Sequence, residues 1–163
     1  MLLAAGLMAA SALDYRTRRI PNVLTAGMAM TGLALSAAHV AGISAAASLL
    51  GIAVGVLLML PGHLLGATGG GDVKLMGAVG AFVGPALVVT AFLATAIAGG
   101  ILALIIAARR GRVTATLTHT RRLVTDRRSA KPLIEAAGQG NRFAYGPAIA
   151  IGTLLVVFGQ LRG

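Results

Sequence analysis

Two of the chain's four acidic residues stand at the edges of strongly apolar segments: Asp14 in Leu13-Asp14-Tyr15-Arg16, and Asp72 in Gly69-Gly70-Gly71-Asp72-Val73-Lys74. A carboxylate at a bilayer boundary is costly unless it has work to do. Paired aspartates are the smallest apparatus that can activate a water against a peptide bond. Like charges held close together resist double ionisation, so two neighbouring carboxyls keep one proton between them and divide the acid and base roles.

Each aspartate also has a plainer reading. Asp72 after a glycine turn is ordinary helix capping, and Asp14 can pair with Arg18 one helical turn later. Two acids on the same expected side, each ending or starting a helix at the same depth, are harder to assign to capping together. Gly69, Gly70 and Gly71 give the backbone freedom ahead of Asp72 and room for another chain to approach. Lys74 lies about 200° round a helix from Asp72 and is expected to point away from the water, either orienting the loop or anchoring it on the basic side. Cysteine is absent, which removes disulfides, thiolate nucleophiles and cysteine-ligated zinc. His39, His63 and His119 lack metal-ligand spacing, and neither a metal nor another cofactor is expected.

The elements that must position these residues are set by composition. Hydrophobic residues make up 57%, charged residues 11%, and mean hydropathy is +0.89, against about 25% charged in soluble domains. The expectation is an all-α polytopic membrane protein with about six transmembrane helices: Met1 to Leu13, Val23 to Gly42, Ile43 to Leu65, Val73 to Val83, Pro85 to Ala108 and Phe143 to Leu161. The first is expected to run on past Asp14. The fourth is short enough to be tilted, buried or continuous with the fifth. Met1 to Leu13 reads as a retained helix, because its basic residues follow the apolar run where a signal peptide would have them lead. Residues 1–163 form one integral-membrane domain with a basic connection at about 109–142.

Basic residues fall on alternate connections: Arg16, Arg18 and Arg19, then Lys74, then nine Lys or Arg between Arg109 and Arg142. The positive-inside rule places the N-terminus outside the cytoplasmic membrane and both aspartates on the cytoplasmic face. The net charge of +10 then reports topology and contact with anionic lipid headgroups. Nucleic-acid binding would want aromatic groups among the basic residues, and the stretch from Arg109 to Arg142 has none. Val113, Leu117 and Val124 are spaced for a short surface helix there, with a solvated loop as the equal alternative. Gly51-Ile52-Ala53-Val54-Gly55 is a small-x-x-x-small pattern, read as packing within the chain ahead of a dimer seam. Oligomeric state is not legible.

At this point the residues resemble a family. Asp14-Tyr15-Arg16-Thr17-Arg18-Arg19-Ile20-Pro21-Asn22 is similar to the segment after the first helix of type IV prepilin peptidases. Gly69-Gly70-Gly71-Asp72-Val73-Lys74-Leu75 resembles their Gly-x-Gly-Asp signature with its trailing lysine, and Phe143-Ala144-Tyr145-Gly146-Pro147-Ala148 their last-helix motif. The resemblance implies an intramembrane aspartic endopeptidase that removes the basic leader of prepilin-like substrates, with Asp14 and Asp72 as catalytic pair. It implies loop or substrate positioning for Gly69, Gly71, Lys74, Tyr145, Gly146 and Pro147. Only Tyr15 to Asn22 separates the first two helices, without the cysteine-bearing segment of larger relatives, so their methyltransferase activity is not expected. This compact form resembles the peptidases of tight-adherence (Flp-type) pilus systems, and small archaeal preflagellin peptidases are similar. The rival classes are a small membrane transporter, which would usually show two similar halves, and a noncatalytic scaffold in which both aspartates are caps.

Overall fold

The computed structural model describes residues 1–66, 68–109 and 145–160. The described residues form five helices and no strand: α1 (Leu2–Thr17), α2 (Asn22–Ala37), α3 (Ala45–Leu64), α4 (Gly70–Arg109) and α5 (Gly146–Gln160). α3 and the Gly70–Ile105 part of α4 are long and apolar enough to cross a membrane. The basic connection at 109–142, including the surface helix considered there, lies beyond Arg109 outside the described residues, as do His119 and Phe143.

Each helix buries one face at helical spacing. In α1 the stripe is Leu7, Ala10 and Asp14; in α3 it is Ser48, Gly51, Gly55 and Met59. α1 runs past Asp14, as expected, and stops where Arg18 turns left-handed (φ 52°, ψ 30°). Pro21 (φ −61°, ψ 135°) stands one residue before α2, in extended backbone. Ser44 caps α3 by accepting the Ala47 N–H at 3.1 Å.

The fourth and fifth expected segments run on into each other in α4, as two helical stretches on either side of a kink at Gly84 and Pro85. Gly84 has φ 79° and ψ 178°, a region of backbone space open essentially to glycine alone. α4 folds back there. A straight helix would separate Asp72 from Gly99 by about 40 Å at 1.5 Å per residue, yet Tyr145 touches Gly99 and still feels the charge of Asp72. Its ring lies on Gly99, the hydroxyl 3.0 Å from where a Gly99 Cβ would stand, and within Coulombic reach of Asp72. The arms 70–83 and 85–109 are therefore antiparallel.

Arm 70–83 is the centre of the bundle, with Asp72, Val73 and every residue from Leu75 to Ala81 buried. α3 runs against it in the opposite sense: Gly51 meets the Gly80 carbonyl, Gly55 sits over Met76, and Ser48 Oγ donates to the Ala81 carbonyl at 2.8 Å. The small-x-x-x-small face is thus consumed inside the chain. α2 lies along the same arm in the same sense, with Gly32 at Ala81 and Asn22 at Lys74. α5 opposes arm 85–109, with Tyr145 at Gly99 and Gly152 at Thr95. This alternation brings the end of α1, the start of α2, the end of α3 and the starts of α4 and α5 to one end of the bundle.

Candidate active site

Asp14 and Asp72 are the only charged side chains buried among the described residues, at 6% and 7% exposure. They come from different helices, meet at the same end of the bundle, and lie within reach of each other's charge. Both are held by backbone N–H groups, through Oδ2 in each case. Among the described residues neither Oδ1 accepts a hydrogen bond.

Asp72 occupies the third position of α4. Its Oδ2 accepts the Gly69 N–H at 2.9 Å, the reach-back half of a capping box. The expected N-cap role is thus displaced by three residues, with Gly69 at the cap and the acid reaching back to it. Capping needs no burial, and Asp72 is buried. The close approach that Gly71 permits is used by the chain itself: Ile20, a core residue of the α1–α2 connection, lies 3.1 Å from where a Gly71 Cβ would stand.

Asp14 stands in the last turn of α1, where carbonyl dipoles disfavour an anion. α5 supplies the compensation. Gly146, its first residue, donates its N–H to Asp14 Oδ2 at 2.9 Å, so the carboxylate sits on the positive end of another helix. A Cβ on Gly146 would come within 2.9 Å of that oxygen. Pro147 follows in the first turn, where its missing N–H leaves no bond unmade. The pairing of Asp14 with Arg18 is not formed: Arg18 leaves the helix as its C-cap and contributes only its N–H to the Asp14 carbonyl, at 2.8 Å.

Of the other residues singled out, Tyr145 lies at the site, half-buried over Gly99, and its carbonyl accepts the first bond of α5 from Ile149. Lys74 is exposed and points away from the carboxylates, as its helical angle predicts, donating to Asn22 Oδ1 at 2.8 Å. Two residues went unassigned in the sequence reading. Asn22 is one, and the Lys74 bond is its role. His63 is the other. It ends α3 within reach of Asp72's charge, and its place six residues before Gly69 was the available signal. A water placed between the two carboxyls would have one on each side, the arrangement that splits acid and base duties.

Residues 1–104 match the model of the Type IV leader peptidase family. No curated protein and no solved structure gives a match.

Proposed function

Because the chain belongs to the type IV leader peptidase family and is a membrane-bound aspartic protease, we propose that Asp14 and Asp72 are its catalytic pair, cutting the basic leader from prepilin-like substrates at the cytoplasmic face. The observation that carries this is the meeting of the only two buried charges of the described residues at one end of the bundle. The ionised carboxyl takes a proton from the bridging water as it attacks the scissile carbonyl. The protonated partner donates to the developing oxyanion or the leaving amine.

The topology is part of the same reading. The alternating arms suit six membrane crossings with the N-terminus outside. Arg16, Arg18, Arg19 and Lys74 are exposed at the aspartate end, and the long basic connection joins two arms at that end. Inside-positive bias then puts the dyad at the cytoplasmic surface, with the basic residues on anionic headgroups. Gly69 and Gly146 hold the carboxylates, Gly71 and Lys74 fix the turn, and Tyr145 and Pro147 shape the wall a substrate passes. The short α1–α2 connection supports a compact peptidase without methyltransferase activity, of the kind serving tight-adherence pili.

The test is reconstitution in liposomes with a candidate prepilin, comparing wild type with Asp14→Asn and Asp72→Asn. Each substitution is expected to lower leader removal by at least about 100-fold, the lower bound for loss of a general acid or base. Retained cleavage by either variant excludes the dyad.

A further inference from the structure

Asp72's carboxylate is held by one N–H, that of Gly69, at 2.9 Å. The same peptide group ends in the Thr68 carbonyl, and that oxygen contacts Nδ1 of His63 at 3.1 Å. A peptide group is planar, so holding its oxygen aims its N–H. We propose that His63 is a positioning residue for Asp72, acting through the Thr68–Gly69 peptide that the imidazole and the carboxylate grip from opposite ends. This rests on the peptidase reading for its kinetic consequence, but not for the contact itself.

The chemistry assigns the tautomer. A carbonyl only accepts, so Nδ1 carries the proton and Nε2 is the other ring nitrogen. The chain of bonds runs Nδ1–H to the Thr68 oxygen, through the amide, and from the Gly69 N–H to Asp72 Oδ2. Bonds in series polarise one another, so each strengthens the next. The rest of the turn serves the same geometry. Thr68 folds back on the end of α3, its N–H on the Gly62 carbonyl at 3.3 Å, and Gly66 N–H reaches the His63 carbonyl at 2.9 Å. The His63 ring lies along the glycine run, Cε1 3.6 Å from where a Gly70 Cβ would stand. His63 itself is exposed, so core packing does not account for its placement. Of the two carboxylates, Asp14 is aimed by a helix end and Asp72 by this side-chain latch.

The experiment uses the full chain in liposomes and replaces His63 with Asn, Gln or Leu. The Asn amide nitrogen stands near the position of Nδ1, whereas that of Gln stands near Nε2. His63→Asn is expected to keep the wild-type kcat, and His63→Gln and His63→Leu to lose about tenfold in kcat at unchanged KM, the scale of one hydrogen bond. A second measurement needs no activity. Threonine labelled at the carbonyl carbon and glycine at nitrogen give signals from two pairs only, Thr31–Gly32 and Thr68–Gly69. The Gly69 amide signal is expected to stay in His63→Asn and to move in the other two, with Gly32 fixed in all. A Gly69 signal indifferent to all three substitutions overturns the proposal, as does equal kcat across them. A wild type that cuts no prepilin strikes the peptidase reading instead, and the Gly69 signal then decides the latch alone.

Discussion

The backbone N–H of Gly146 donates to Oδ2 of Asp14 across 2.9 Å, joining positions 132 residues apart. The bond ties the last turn of α1 to the first of α5 and sets an anion from one helix's unfavourable end on another's favourable end. Gly146→Ala would push a Cβ to 2.9 Å from the carboxylate oxygen. Loss of a hydrogen bond to a charged group is worth about 1.5–3 kcal/mol, so leader cleavage is expected to fall by about tenfold or more. Alanine is a better helix residue than glycine by about 1 kcal/mol, which offsets only part of that loss, so the thermal midpoint should also fall modestly. A cleavage rate equal to wild type would show that this bond does not place Asp14.

The Lys74 to Asn22 bond, 2.8 Å and exposed, fastens the start of α4 to the start of α2. Lys74→Met and Asn22→Ala, alone and together, should show a coupling of about 0.5–1 kcal/mol in equilibrium unfolding. Neither should abolish cleavage. A coupling of zero would make the contact incidental.

Gly51 and Gly80 bring the backbones of α3 and α4 into direct contact. A methyl group at Gly51 would meet the Gly80 carbonyl, and overpacking of this kind costs about 1–3 kcal/mol, sometimes more. Gly51→Ala should lower the denaturation midpoint without changing the oligomeric state. A change in oligomeric state at constant stability would reassign the small-residue face to a seam between copies.

Thr95 and Thr153 are fully buried, and their hydroxyls have no hydrogen-bond partner among the described residues. Thr95→Val and Thr153→Val remove an unsatisfied polar atom while keeping the shape, which is neutral to stabilising by about 1 kcal/mol each. Clear destabilisation in equilibrium unfolding would mean that each hydroxyl has a partner, such as an ordered water.

Much of the fold and site was legible because it is written locally. The helices begin and end within a few residues of their apolar runs, since a run's length and its bordering Arg, Pro and Gly residues act on the chain nearby. α2 is the exception: it stops at Ala37, where a run to Gly42 was expected. His39 (φ 58°) and Gly42 (φ 72°) instead turn the chain toward α3. The acids were legible because a charge beside an apolar run has few structural excuses. His63 and Asn22 were not, since an exposed histidine and an asparagine beside a proline mean nothing until their partners at Thr68 and Lys74 are placed.

The sequence by itself determined an all-helical membrane chain, the two aspartates, and the shared side of the connections that carry them, because hydropathy, helical period and charge bias are short-range properties. Only the tertiary structure decided which groups hold those aspartates. The fold-back at Gly84 sends the second arm of α4 toward the aspartate end, seats Tyr145 on Gly99 and sets the α5 terminus against Asp14. Such pairings depend on how the helices pack across the whole bundle, and no window of neighbouring residues contains that information.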